Sequence, residues 1–219
     1  MNTENKTVKV HNLMILDESG SMESIYSAAL GGANETIQTI RTAQESHPEQ
    51  EHRFSFVTFN TAGDTFGSGT DIKTVFDDVP INDVRDLTKE DYHPNACTPL
   101  YDAMGSTICH LERKVAEGDC VLVTVITDGL ENASREYSGT AIKVMVERLR
   151  EKGWTFVYIG ANQDAVEVAK GLSIRNSLNF IANEVETQLM FGYANDKVLC
   201  FYDKIDPNQK AFSDDSFFE

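Results

Sequence analysis

Between Cys120 and Thr127 the chain sets Val121, Leu122, Val123, Val125 and Ile126 at almost consecutive positions. Side chains of a strand point alternately to its two faces. A strand apolar on both faces needs cover on both, which is the situation of a central strand in a parallel sheet with helices above and below. No other stretch narrows the choice of folds as far.

The remaining segments supply the neighbours of that strand. His11 to Leu16 reads as a second buried strand, and Arg53 to Phe59, Trp154 to Gly160 and Ser177 to Ile181 as three more. A hairpin around Gly63, Gly67 and Gly69 predicts a short edge strand near Ile72. Helical spacing of apolar residues predicts helices over Ser24 to Ser46, Thr98 to Ala116, Ser138 to Lys152 and Asp164 to Lys170. Gly31 and Gly32 weaken the first of these by about 1 kcal/mol each unless close packing needs them. Asn183 with Glu186 forms a capping box that opens a helix towards Lys204, although Val198 to Tyr202 also reads as a strand. Strands alternating with helices give an α/β, Rossmann-like, doubly wound sheet.

The chain has 219 residues, 41% of them hydrophobic, which suits one α/β domain over 9–205. An N-terminal extension, 1–8, precedes it, and an acidic, flexible tail, 206–219, follows. The tail carries Phe212, Phe217 and Phe218, which read either as slack chain or as a docking motif. With 19 basic and 35 acidic residues the net charge is −16, which repels nucleic acid and anionic membrane surfaces. Apolar stretches are too short to span a bilayer, and the first residues lack the apolar core of a signal peptide, so a cytoplasmic protein is expected. Cys97, Cys109, Cys120 and Cys200 show no C-x-x-C spacing and read as free thiols.

Chemistry concentrates at the expected carboxyl ends of the strands, where ligands of open parallel sheets sit. Leu13 to Met22 delivers Asp17, Ser19 and Ser21 at alternate positions into a turn. Thr98 follows the long polar connection from Pro80 to Asn95, and Asp128 follows the Cys120 strand. Oxygen-only donors suit a hard cation such as Mg²⁺. Each segment also has a plainer reading. Asp17 can end a strand while Ser19 or Ser21 caps the next helix, Thr98 before Pro99 is a sound N-cap, and Asp128-Gly129 is a strand-ending turn.

Taken together, Asp17, Ser19, Ser21, Thr98 and Asp128 resemble the metal-ion-dependent adhesion site of the von Willebrand factor A domain family, of intracellular bacterial type. All five motif positions match, and the resemblance covers roughly Lys9 to Asn183. It implies a mostly parallel sheet of about six strands with helices on both faces and one short antiparallel edge strand. It also implies Mg²⁺, with Mn²⁺ or Ca²⁺ as substitutes, bound directly by Ser19, Ser21 and sometimes Thr98 and through water by Asp17 and Asp128. The function implied is a non-enzymatic adaptor or assembly module that binds another protein through an acidic side chain, in an oligomeric state the sequence leaves open.

Around these five, Glu131 and Asn132, together with Asn162, Gln163 and Asp164, fall at the expected rim. Glu18 and Glu23 would repel an acidic partner or select a basic surround, and Tyr101 and Asp102 read as helix surface or support for the site. The enzymatic alternative is a Mg²⁺-dependent phosphatase of the haloacid dehalogenase type, with Asp17 as nucleophile. That chemistry needs a carboxylate two residues on as general acid, where this chain has Ser19.

Overall fold

The computed structural model describes residues 7–61, 69–161, 165–206 and 216–219. Six strands of the described residues form one sheet: β1 (Val8–Asp17), β2 (Gln50–Thr61), β3 (Thr70–Pro80), β4 (Cys120–Thr127), β5 (Trp154–Ala161) and β6 (Asn176–Phe180). Their order is β3-β2-β1-β4-β5-β6, and every pairing is parallel except that of β2 with β3. The apolar Cys120–Thr127 stretch is indeed central, between β1 and β5.

Among the described residues five α-helices cover the sheet: α1 (Tyr26–Ser46), α2 (Leu100–Glu112), α3 (Gly139–Glu151), α4 (Ala165–Gly171) and α5 (Glu184–Asp203). One core joins α1 and α5 to one face of the sheet through Ile37, Ile40, Phe191 and Phe201. The other joins α2, α3 and α4 to the opposite face through Met104, Ile108, Ile142 and Val146. Among the described residues no helix is long and apolar enough to cross a membrane.

Several expectations shift in detail. The edge strand near Ile72 is present and antiparallel but long, Thr70–Pro80, with register irregularities against Phe54, Phe56 and Val57. Its burial is mostly partial, so apolar alternation gave little sign of its length. The hairpin at Gly63 and Gly67 lies outside the described residues. β1 begins at Val8, inside the segment expected to be an extension. A short 3₁₀ helix, Gly20–Ile25, precedes α1, so the helix proper starts at Tyr26. Val198 to Tyr202 is helical: Asn183 Oδ1 accepts from Glu186 N–H at 3.0 Å and opens α5.

The two glycines of α1 differ. Gly31 is exposed, with nothing near its missing side chain, whereas a Cβ on Gly32 would lie 2.1 Å from the Phe191 ring. Gly32 therefore lets α5 approach α1. Of the expected tail, 207–215 lie outside the described residues; at its end Phe217 is buried beside Phe201, as the docking alternative has it.

Candidate metal centre

β1 and β4 are the neighbours at which the chain's crossovers change direction, from α1 on one face to α2 on the other. Loops leaving the carboxyl ends of two such strands diverge and open a crevice. Asp17 ends β1, and Asp128 directly follows β4.

Asp17 is fully buried, and protein groups engage both of its carboxylate oxygens. Ser19 N–H donates to Oδ1 at 2.7 Å, and the Thr127 hydroxyl donates to Oδ2 at 2.6 Å. Tyr92 Oη, itself buried, donates to the Asp17 carbonyl at 2.8 Å. A carboxylate so anchored is placed to organise the turn and to act at one remove from an ion. The Ser19 and Ser21 hydroxyls lie 3.2 Å apart, and Ser21 donates to Asp128 Oδ1 at 2.5 Å. Ser19 precedes the 3₁₀ helix in extended conformation, yet its side chain makes no capping bond. The plainer reading of these serines is not realised.

Thr98 reaches the same spot from the other side. Its N–H donates to Asn132 Oδ1 at 2.9 Å, and Asn132 N–H donates back to the Thr98 carbonyl at 3.1 Å. A Cβ built on Gly129 would meet Thr98 Oγ1 at 3.2 Å and Ser21 Oγ at 3.8 Å. The two hydroxyls thus face a space that glycine leaves open. Thr98 was also readable as the cap of α2; instead Pro99 holds that position, with no side-chain capping bond. All five predicted donors are drawn to one end of β1 and β4.

The electrostatics follow from burial. Desolvation pushes the Asp17 carboxyl up to about 6, with the nearby Asp128 charge adding to the rise. Burial raises Asp128 as well. No basic side chain counts among the causes of either shift. Among the described residues no group of three or more His, Cys, Asp or Glu is spaced to hold a metal. What the crevice offers is three hydroxyls backed by two carboxylates, a donor set that fits a hard cation.

Glu18, Glu131 and Asp102, all named around the site by the sequence, hold this arrangement together, Glu18 in a way the sequence did not suggest. Glu18 is buried: it accepts from the Thr58 hydroxyl at 2.6 Å and from His93 N–H, so it faces no partner. Its main chain binds the same two elements, since Glu18 N–H donates to Phe59 and Asn95 N–H donates to Glu18. Glu131 accepts from Tyr101, Ala133 and Ser134 N–H and so fixes the loop after β4. Asp102 accepts from Arg135, Glu136 and Tyr137 N–H and from the Thr70 hydroxyl at 2.7 Å. Thr58, Tyr92 and Thr127 had no part in the sequence reading of the site; of these three, Thr127 carried a signal that could have found it, a hydroxyl closing an apolar run beside Asp128. Asn162, Gln163 and Asp164 lie outside the described residues.

This six-stranded sheet, with its single antiparallel edge, is a fold shared with known von Willebrand A-type domains. It is similar to the vWF domain of the type V pili tip protein Mfa5 from Porphyromonas gingivalis, at 10% identity and a TM-score of 0.54, covering 91% of this chain and 98% of that one. It is also similar to the PilB minor pilin from Streptococcus sanguinis, at 12% identity and a TM-score of 0.62, covering 88% and 62%. A third similar structure is proximal thread matrix protein 1 from the mussel byssus, at 14% identity and a TM-score of 0.55, covering 88% and 46%. The chain thus spans less than two thirds of the PilB and mussel chains. No family model and no curated protein matches the sequence.

Proposed function

We propose that this domain is a metal-dependent protein-binding module of adaptor or assembly type. Ser19, Ser21 and Thr98 would hold Mg²⁺ directly, and Asp17 and Asp128 would act through water. The observation that carries the reading is the convergence of Ser21, Asp128 and Thr98 around Gly129. Neutral hydroxyl donors leave a bound cation electrophilic, and the chemistry it would supply is acceptance of a carboxylate oxygen from another protein.

The chain's own residues do the rest. Asp17 and Thr127 fix the turn, Tyr92 and Glu18 hold it against β2 and the 92–95 segment, and Asn132 sets the height of Thr98. The kinship in fold with pilus proteins supports protein binding as the use of such a site. The reading is non-catalytic, because Ser19 stands where phosphatase chemistry of the Asp17 type needs a general acid. It is set in the cytoplasm, where the exposed, unpaired Cys97 and Cys200 would stay reduced.

Calorimetric titration with MgCl₂ and MnCl₂ tests the metal, with saturable binding expected in the wild type and none in Ser21→Ala. Proteins retained from native extract in Mg²⁺ should be released by chelator, and an amide in place of the partner's critical carboxylate should prevent capture. Retention in excess chelator, or turnover of a generic phosphate ester abolished by Asp17→Asn, would overturn the reading.

A further inference from the structure

The segment Ser216–Glu219 sits on the domain as a short peptide sits on a receptor. Phe217 is 3% exposed and lies against Phe201 of α5, ring centroids 6.0 Å apart. Its N–H donates at 3.1 Å to Oδ1 of Asn176, a buried residue at the start of β6 whose Nδ2 in turn donates to the Phe156 carbonyl. Phe218 stacks on Tyr193 at 5.8 Å with the rings 14° from parallel, and Tyr193 Oη donates to the Phe218 carbonyl at 3.0 Å. Lys197 Nζ reaches the main-chain oxygen of Glu219 at 2.9 Å. One aromatic anchor in a pocket, a second stacked at the rim, and polar groups gripping the backbone are the parts of a peptide-recognition site.

The surface continues beyond what the segment covers. Val185 and Leu189 are exposed, and with Tyr193 they recur at four-residue intervals along α5, on one face of the helix. Phe218 occupies only the Tyr193 end of that stripe.

We infer that the groove between α5 and β6 is a binding site for short peptides with adjacent aromatic residues, filled in this chain by its own Phe217 and Phe218. A longer aliphatic and aromatic peptide would also cover Leu189 and Val185. The groove is separate from the metal centre, and the inference does not depend on it. Because the segment is tethered, it competes at a high effective concentration, so a peptide added in trans binds well only when the segment is weakened or released.

The test uses the full chain and a fluorescein-labelled peptide of the sequence Ala211 to Glu219. Phe217→Ala/Phe218→Ala should bind it saturably by fluorescence anisotropy, at least tenfold tighter than the wild type. Adding Tyr193→Ala should weaken that binding about tenfold, and a peptide with Ser in place of Phe217 should not bind. In the wild type, the Phe217 amide should exchange hydrogen at least a hundredfold faster than that of Val123 in β4, which reports local release. A folded double variant that binds no peptide would overturn the proposal. If the double variant does not fold, equal exchange at Phe217 and Val123 would overturn it, making Phe217 ordinary core, whereas fast Phe217 exchange would uphold it.

Discussion

Ser21 and Asp128, 107 positions apart in the chain, are joined by a 2.5 Å hydrogen bond from hydroxyl to carboxylate. The bond closes the crevice between β1 and β4 and brings a neutral donor and a charged one to the same point. A divalent cation at that point would draw on both, which makes the pair the natural place to test the site.

Saturating Mn²⁺ should raise the melting temperature of the wild type. At a hundred times the dissociation constant the gain is about 2.7 kcal/mol, or roughly 5–10 °C for a domain of this size. Asp17→Ala and Ser21→Ala should abolish the gain in a thermal melt, since one removes the turn's anchor and the other a donor. Equal shifts in the wild type and both variants would place any metal elsewhere.

Glu18→Ala should cost about 1–3 kcal/mol in urea melts, because it strands the Thr58 hydroxyl and His93 N–H. It should also weaken Mn²⁺ binding, by loosening the 92–95 segment that leads to Thr98. Glu23→Ala, at an exposed position of the 3₁₀ helix, should change stability by less than about 0.5 kcal/mol.

The glycine pair of α1 gives opposite signs. Gly32→Ala drives a methyl group into the Phe191 ring and should destabilise by about 1–3 kcal/mol. Gly31→Ala meets nothing and should stabilise by up to about 1 kcal/mol. Paired denaturant curves decide it.

Acid stability should depend on His52. Burial pushes its imidazole down to about 4, neither ring nitrogen has a hydrogen-bond partner, and the ring packs edge-on to Tyr202 at 4.4 Å. With the folded value below the unfolded 6.5, the unfolded chain binds the extra proton between these limits. Stability from this residue is therefore complete above pH 6.5 and falls as pH drops towards 4, by at most about 3 kcal/mol. His52→Phe should lose less stability over pH 6.5 to 4, measured by urea melts at each pH.

What the sequence determined by itself was whatever short-range pattern carries. The apolar run of β4 announced a strand buried on both faces, helical spacing announced α1 and α3, and Asn183 with Glu186 announced the start of α5. That Asp17, Ser19, Ser21, Thr98 and Asp128 would meet was read from their resemblance to a known motif, three of them at alternate positions of one turn and two at boundaries between elements. Only the tertiary structure decided what each side chain meets. Glu18 turns inward because β2 brings Thr58 beside it, and Thr98 does not cap α2 because Asn132 holds its backbone across the crevice while Glu131 and Ser134 accept from the first helix N–H groups. Phe217, in an acidic segment whose aromatics read as either slack chain or a docking motif, is buried because Asn176 and Phe201 form its pocket from 41 and 16 positions away. Periodicity reports which face of its own element a residue occupies; the partner on that face is supplied by chain folded from far away, and no local pattern encodes it.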